Sequence, residues 1–405
     1  MINQRPELVA PSGDWNSLQS AVASGADAVY FGVKGFNMRR SAGNFDILEL
    51  KKITDLLREK GLKGYLALNV IVYNNELDMV KRILDSAAAA EIDAIVLWDM
   101  AVLSLAKERG LNIHISTQAS VSNFEALKFY NSLGAKRAVL ARECSLEDIT
   151  NIKERAKEEK INCGIETFVH GAMCLSISGR CLLSQDTFKK SANRGECIQP
   201  CRREFDIVDK DGECSYVLGE DYILSAKDLC AIDFIEEFIT AGVDAVKIEG
   251  RMRPPEYVKV VTASYKTAMD AFFEGNLDED LKKRLKNDLK KVFNRGFTSG
   301  FYFNRPDGEV GRNQREYEKT YIGEVIKFYK KIGVAEISIK SGALEKGQKI
   351  LVTGKKTPAN FANITEMQME HNSVDIARKG DKVGVKVPFE ARKKDKVFLW
   401  KEQGE

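Results

Sequence analysis

Six of the eight cysteines in this 405-residue chain fall within 57 residues of one another. They are Cys174, Cys181, Cys197, Cys201, Cys214 and Cys230. Thiolates gathered in this way bind iron–sulfur clusters or zinc. The spacing matches neither ferredoxin runs nor paired zinc knuckles, so it leaves both metals open. The alternative is free cysteines buried for packing, which we adopt for Cys144, Cys163 and Cys214.

The cellular compartment of the protein determines whether these thiols are expected to be reduced or paired in disulfides. Residues 1–10 contain no apolar run behind a basic start, as a signal peptide would. No stretch reaches the ~18 apolar residues of a membrane span. We therefore expect a cytoplasmic protein with no membrane partner. Cytoplasmic thiols stay reduced, which favours metal binding or catalysis over disulfides.

Charged residues are also expected at the ends of several predicted strands. Lys247, Glu249 and Arg251 alternate along one strand, so their side chains share one face. Glu143 and Glu166 stand at the ends of two others. Because barrel enzymes keep their sites at strand ends, these five are candidate catalytic residues. The alternative is a structural layer of ion pairs, since such networks also gather charge.

Histidine chemistry has few candidates, because the chain has three histidines. His114 lies in an apolar strand and His371 lies near the end of the chain. His170 precedes Cys174 by four residues and is the candidate general base. No HExxH or GxSxG motif is present. The sequence therefore offers few residues for peptidase chemistry, although a catalytic Cys–His pair is not excluded.

The first 270 residues alternate short apolar runs with amphipathic stretches, a pattern typical of βα units. Eight strands are predicted, around residues 7–13, 28–33, 64–70, 94–99, 112–118, 137–143, 163–171 and 245–251. Runs that are apolar on both faces favour a parallel sheet covered by helices. Eight such units predict an α/β fold of the TIM-like (β/α)8 barrel type. An open doubly wound sheet is the alternative, but no GxGxxG follows the first strand.

Four regions follow from this pattern. Residues 1–277 form the barrel domain, with a Cys-rich insertion at 172–230 after strand seven. Residues 278–319 are a basic helix and a linker, and residues 320–405 alternate with period two, as in a small β-barrel. This last region has 17 Lys and Arg against 11 Asp and Glu. Its GALEKGQKILVTG segment is similar to the second domain of translation elongation factors. Its positive charge fits a polyanionic partner, but charge alone favours the alternative, a lysine-rich solvated surface.

The segment ETFVHGAMCLSISGRCLLS (166–184) carries a family resemblance. It fits the pattern E-x-F-x-x-G-[SA]-[LM]-C-x4-G-x-C-x-[LM]-S at all ten fixed positions. Supporting segments are APSGD (10–14), CIQPCR (197–202), SAKDLC (225–230) and VKIEGRMR (246–253). The chain resembles the peptidase U32, or collagenase-like, family along nearly its whole length.

The resemblance implies a cofactor and a reaction. Some U32 relatives hold a [4Fe–4S] cluster on four cysteines, and by position these correspond to Cys174, Cys181, Cys197 and Cys230. Cys201 is an alternative fourth ligand, and zinc is the alternative metal. Other relatives are needed for 5-hydroxyuridine at the wobble position of tRNA or for hydroxycytidine in ribosomal RNA, with prephenate as the hydroxyl source. Some work in pairs, which implies a homologous partner subunit.

Three functions therefore compete on the sequence. The first is an iron–sulfur enzyme, or enzyme subunit, of oxygen-independent tRNA hydroxylation that binds tRNA and prephenate. The second is a collagenase-like peptidase, as the family label implies. The third is a non-catalytic RNA-binding or assembly factor that uses its basic end domain.

Overall fold

The computed structural model describes residues 4–174, 176–177, 180–203, 227–303 and 314–403, and the backbone of 205–208 and 215–218. Two residues singled out in the sequence, Gly179 and Cys214, lie outside the described residues.

Eight parallel strands close into a barrel, as the sequence predicts. The strands up to the end of the barrel are β1 (Glu7–Pro11), β2 (Ala28–Gly32), β3 (Lys63–Ala67), β4 (Ala94–Leu97), β5 (Ile113–Ile115), β6 (Ala135–Val139), β7 (Gly164–Ala172), then β8 (Phe205–Val208), β9 (Ser215–Leu218) and β10 (Asp228–Cys230) of the insertion, and β11 (Ala245–Ile248). Neighbours β1 to β7 pair in order, and β11 closes the ring by pairing in parallel with both β1 and β7. Ala245 stands opposite Glu7 on one side and Glu166 on the other. The TIM-like barrel is therefore confirmed.

Helices cover the outside of this ring. They are α1 (Trp15–Ala23), α2 (Leu50–Glu59), α3 (Leu77–Ala89), α4 (Met100–Glu108), α5 (Phe124–Ser132), α6 (Leu146–Glu158), α7 (Leu183–Phe188), α8 (Ile235–Thr240), α9 (Pro255–Glu274) and α10 (Glu279–Lys290). Polar residues fix where they start: Asp99 caps α4, and Ser145 with Asp148 forms a capping box at the start of α6. These caps leave the carboxyl ends of the strands at the same face as the helix starts.

Both faces of the strands are buried, which explains their continuous apolar runs. One large apolar cluster fills the space between strands and helices. A smaller cluster fills the inside of the ring, from Val9, Ala28, Tyr30, Tyr65, Ala94, Val96 and Ala245. The barrel interior is therefore packed at its lower end and opens only at the carboxyl ends of the strands.

The Cys-rich insertion leaves the barrel at the end of β7. It contains the short helix α7 and the hairpin of β8 and β9, and β10 returns antiparallel to β7. In this pairing Cys230 stands opposite His170. The insertion therefore lies over the carboxyl end of the barrel.

The segment that follows the barrel was predicted as a basic helix and a linker (278–319), but its described residues pack against the barrel. Helix α10 buries Leu285 and Leu289 in the barrel core. Strand β12 (Phe297–Thr298) pairs in parallel with β10, and the hydroxyl of buried Tyr302 donates to the carbonyl of Phe168. Burial of aromatic side chains lowers the free energy, and this holds the Gly-rich stretch on the barrel. Residues 304–313 lie outside the described part of the chain.

The C-terminal region is antiparallel β-sheet, in agreement with its alternating sequence. Its strands are β13 (Tyr317–Tyr329), β14 (Val334–Ile339), β15 (Ala343–Glu345), β16 (Lys349–Gly354), β17 (Thr357–Asn363), β18 (Met367–Met369), β19 (Asn372–Ser373), β20 (Ile376–Arg378), β21 (Lys382–Lys386) and β22 (Lys396–Glu402). Eight of them form one sheet in the order β17-β16-β22-β13-β14-β21-β18-β19 around a separate apolar cluster. Strand β17 packs on α1 and α9, so the region is docked on the side of the barrel.

Among the described residues, no helix combines the length and the apolar character needed to cross a membrane.

Candidate active site

A cavity of about 720 Å³ opens at the carboxyl ends of the barrel strands, beneath the insertion. The polar and charged residues that line it include Arg39, Asn69, Ser116, Gln118, Arg142, Cys174, Cys181, Cys197, Cys201, Lys247, Glu249 and Arg251. Its size matches the pockets in which proteins enclose small organic ligands. We call the ion pairs beneath it the floor (Glu7, Arg137, Glu166 and Lys247), and Arg251 with the four lining cysteines the mouth.

The floor is a chain of buried ion pairs. Lys247 Nζ lies 2.6 Å from Glu166 Oε1, and Arg137 Nη1 lies 3.1 Å from Glu166 Oε2 and 2.8 Å from Glu7 Oε1. Burial works to raise the pKa of Glu166, but the charges of Lys247 and Arg137 outweigh it and hold the pKa below its usual range. Glu166 is therefore an ionised partner of Lys247 below the cavity, rather than a cavity-lining acid.

Glu249 forms the wall between two arginines. Its Oε1 accepts from Arg39 Nη2 at 2.9 Å and from Arg39 Nε at 3.1 Å, and its Oε2 lies 3.3 Å from Arg142 Nη2. Burial works to raise the pKa of Glu249, but Arg39 and Arg142 overcome it and lower the pKa to about 2. Arg142 also stacks on Phe168, with its guanidinium 4.2 Å from the ring centre. This carboxylate positions two cations and is not free to accept a proton near neutral pH.

Arg251 differs from the other cations of the cavity. It is only 4% exposed, and its Nη1 is fully buried without a hydrogen-bond partner among the described residues. Burial lowers the pKa of Arg251 to about 10, which still leaves the guanidinium charged at neutral pH. A Cβ on Gly32 would approach this Nη1 to 2.5 Å, so glycine makes room for it. An unpartnered buried donor of this kind favours an anionic ligand that can accept from it.

Four thiols line the same cavity. Cys174 is exposed, and Cys181, Cys197 and Cys201 are half-buried, all as free thiols. Burial raises the pKa of Cys201, and the other three thiols add to that rise because they lie close enough for their charges to act on it. Two contacts fix the loop: the Cys181 amide donates to Asn193 Oδ1 at 2.9 Å, and Ser184 Oγ lies 3.8 Å from Cys197 Sγ.

The donor chemistry of these thiols fits an iron–sulfur cluster or zinc. Both require soft thiolate ligands, and four of them share one cavity here. Among the described His, Cys, Asp and Glu residues, no three stand ready at metal-binding geometry. The thiol side chains must therefore close inward to bind a metal.

Cys230, the fourth ligand implied by the family resemblance, lies elsewhere. It is 3% exposed on β10, and its Sγ lies 3.9 Å from the hydroxyl of Tyr265. It does not line the cavity. Burial raises the pKa of Cys230 to about 11, so its thiol stays protonated. The structure brings Cys201, and not Cys230, together with the other three cysteines.

Two candidate catalytic residues also lie outside the cavity lining. His170 is buried between β7 and α9, with Nδ1 3.3 Å from the hydroxyl of Tyr265. Burial lowers the pKa of His170 to about 3, so the ring is neutral. Glu143 is exposed at the surface beside Arg142. Arg142, and not Glu143, reaches the cavity, and His170 faces none of the four lining thiols.

Sequence reasoning missed Arg39, which lies in the loop after β2. It contacts Glu249, from which it is separated by 210 residues in the sequence. The signal available for it was its place in a βα loop at the carboxyl end of a barrel, where such enzymes hold their sites. Nothing in the local sequence pairs it with Glu249.

Comparison with known proteins decides the family. Residues 13–312 match the sequence profile of Peptidase family U32. The chain belongs to this family. Residues 333–394 match a second profile, Elongation factor Tu domain 2.

U32 relatives carry two kinds of name. A protein of Porphyromonas gingivalis named collagenase is 40% identical over 98% of this chain and 99% of its own length. A Bacillus subtilis protein named tRNA hydroxylation protein P1 is 32% identical over 93% of this chain and 90% of its own. An Escherichia coli protein named 23S rRNA 5-hydroxycytidine C2501 synthase is 33% identical over 81% of this chain and half of its own length. Both kinds of name describe enzymes.

The U32 signature can now be assigned to positions around the cavity. Glu166 neutralises Lys247 in the floor, and Phe168 supports Arg142 from below. Gly171 has a φ of +105°, and a Cβ there would stand 2.6 Å from the carbonyl oxygen of Glu249. Cys174 and Cys181 lie at the mouth. The signature therefore builds one wall of the cavity from its floor to its mouth.

Proposed function

We propose that this U32 enzyme hydroxylates RNA at C5 of a pyrimidine, and specifically the wobble uridine of tRNA. The observation that carries the proposal is the meeting of four free thiols and an unpartnered arginine at one cavity. The names of the Bacillus and Escherichia relatives support RNA hydroxylation as the reaction class. The basic C-terminal region supports RNA as the partner, since lysine and arginine bind phosphates.

The proposed cofactor is a [4Fe–4S] cluster held by Cys174, Cys181, Cys197 and Cys201. A cluster of this kind supplies one-electron redox chemistry. The protein contributes the thiol ligands, the insertion that covers them and a cavity wall of fixed arginines. Zinc at the same four thiols is the alternative, and iron analysis separates the two.

The proposed hydroxyl donor is a small carboxylate such as prephenate, bound beside Arg251. The free Nη1 of Arg251 donates to a carboxylate oxygen, while Arg39 and Arg142 stay held by Glu249. The net reaction exchanges groups between two carbons: the hydroxyl passes to C5 of the base, and the hydrogen of C5 passes to the donor. Atoms and electrons then balance without molecular oxygen.

The base must leave its stack to reach such a cavity. Chemistry on a nucleobase requires this access, and an anticodon loop already presents unpaired bases.

A peptidase is the second candidate, because the Porphyromonas relative is named collagenase. A cysteine peptidase needs a histidine beside its thiol. His170 is buried on the other side of β7, where it faces Tyr265 instead of the lining thiols. This geometry favours hydroxylation over peptide hydrolysis.

Mass spectrometry of tRNA from a strain that lacks the gene tests the proposal. We expect 5-hydroxyuridine and its derivatives to disappear, and to return with the native gene but not with Cys174→Ala. The Cys163→Ala gene is the matched control and restores the modification. Unchanged wobble uridines in a strain with no paralogue would overturn the proposal and make the peptidase the leading candidate.

A further inference from the structure

A groove of about 450 Å³ lies where the C-terminal sheet meets the barrel. The barrel contributes the start of α1, including Trp15, and the length of α2 from Lys52 to its end at Glu59. The sheet contributes Lys355, Lys356 and Arg392. Five cations and two carboxylates line this groove in total. It is separate from the cavity inside the barrel and takes no part in the chemistry proposed there.

Both walls of the groove are held in place. The Ala359 amide donates to Ser20 Oγ of α1 at 3.0 Å, and Lys259 Nζ of α9 lies 3.0 Å from Asn360 Oδ1. Lys319 pairs with Glu256 at 2.7 Å. These contacts tie β17 and β13 to the barrel, so the positions of the cations are fixed before any ligand arrives.

Two turns of the sheet carry an unusual concentration of positive charge. Lys355 and Lys356 form the turn between β16 and β17, and Arg392, Lys393 and Lys394 form the turn before β22. Arg392 Nη1 donates to the Lys356 carbonyl, which joins the two turns. We call these five residues the basic turns.

One acidic side chain lies beside the basic turns: Asp395 accepts from the Arg392 amide at 2.7 Å. All five side chains are exposed, and none forms an ion pair within the described part of the chain. The two carboxylates of the groove are already engaged, because Glu49 accepts from Trp15 Nε1 at 2.7 Å and Glu59 pairs with Lys60 at 3.0 Å. Like charges held together repel, so an added polyanion lowers the free energy of this surface.

The groove lies beside the mouth of the barrel. A Cβ on Gly13 would meet the carbonyl oxygen of Arg251 at 2.0 Å, and Trp15 follows two residues later at the edge of the groove. The end of the groove at Trp15 therefore lies beside the cavity, while its other end reaches Glu59 and Lys60 at the end of α2.

We propose that the basic turns and Lys52 bind the phosphodiester backbone of the RNA whose base enters the barrel. This inference rests on the proposed function and adds the surface that holds the substrate. RNA fits because it carries regularly spaced negative charge that can follow a row of cations. The ring of Trp15, with Lys52 Nζ 4.6 Å from its centre, closes the barrel side of the groove.

The test compares two double charge reversals in the full-length chain. Lys355→Glu/Lys356→Glu changes the groove, and Lys346→Glu/Lys349→Glu changes two exposed lysines at the opposite end of β16. Binding of tRNA is measured at several salt concentrations. We expect the groove variant to bind about tenfold or more weakly and to lose about two from the slope of log Kd against log salt. The control should stay within about twofold of the native chain.

Three outcomes overturn the proposal. In the first, both variants bind tRNA as tightly as the native chain, and in the second, both lose tRNA binding to the same extent. In the third, the groove variant loses binding to an acidic polypeptide such as polyglutamate while its tRNA binding is unchanged. Equal melting temperatures of the two variants exclude a folding defect. Modification of tRNA is measured separately by mass spectrometry. If tRNA binding depends on the groove but no hydroxylation is found, only the proposed function is contradicted. If hydroxylation is found but tRNA binding does not depend on the groove, only this inference is contradicted.

Discussion

Glu166 in the floor of the barrel has a cation on each side, whereas Arg251, four residues beyond Lys247 on the chain, has a buried Nη1 with no partner among the described residues. Both positions are almost fully buried. A buried charge without a partner lowers the stability of the fold, so an enzyme retains one where a ligand will complete it. The comparison separates ion pairs that hold the barrel together from a guanidinium that we propose binds a substrate.

The four lining cysteines extend the same comparison to the thiols. Cys201 shares the cavity with three other thiols, while Cys230 is buried beside Tyr265. One thiol is accessible to a metal and the other fills space in the core. The variants below test these distinctions, beginning with the largest expected effect.

The largest effect is expected from Cys201→Ala, which should abolish cluster loading because it removes one of four proposed ligands. Cys230→Ala should load normally, since its thiol does not line the cavity. Iron and sulfide analysis after anaerobic purification measures both, with Cys163→Ala as a control for a buried cysteine. Normal loading of Cys201→Ala together with failure of Cys230→Ala would restore Cys230 as the fourth ligand.

A large loss of stability is expected from Glu166→Gln. It leaves Lys247 buried without a counter-charge, which costs about 3–5 kcal/mol of the free energy of unfolding. Urea denaturation measures the change, with the exposed Glu143→Gln as the matched control. If the variant does not fold, Glu166→Leu/Lys247→Met is measured instead and should recover much of the loss, because it removes both charges. A native-like stability for Glu166→Gln would mean that the floor is not structural.

A smaller effect is expected from Arg251→Lys at the mouth. Lysine keeps the charge but loses the planar pair of donors, so prephenate should bind about tenfold more weakly, or about 1.4 kcal/mol. The melting temperature should stay unchanged, since Nη1 has no partner to lose. Calorimetric titration and thermal unfolding separate the two roles. A lower melting temperature with native affinity would place Arg251 with the structural charges of the floor.

Local patterns in the sequence predicted the barrel and part of its site. Eight apolar runs predicted the right number of barrel strands in the right order; each precedes an amphipathic helix, apart from the seventh, which precedes the Cys-rich insertion. Lys247, Glu249 and Arg251 all line the cavity, as their alternation predicted, although β11 ends at Ile248 and only Lys247 lies on the strand. Each of these signals depends on residues close together in the chain, where spacing fixes direction.

The remaining features depended on contacts between distant residues. The pairing of β7 with β11 shifts register after Lys247, which stands opposite Phe168, while Ile248 stands opposite His170. This irregularity leaves Phe168 in the cavity and turns His170 towards α9. Strand spacing in the sequence contains no record of such a shift, so His170 was misjudged as a cavity residue.

The sequence by itself determined the family, the barrel and the gathering of thiols after the seventh strand. Tertiary structure decided which thiols meet: the family resemblance implied Cys230 with Cys201 as the alternative, but β10 pairs with β7 and buries Cys230, while Cys201 lines the cavity. It also decided that Arg39 clamps Glu249 and that Arg251 is left with a free donor. The reason is physical: periodicity records which face a residue occupies, whereas the pairing of charges depends on which faces the folded chain brings together.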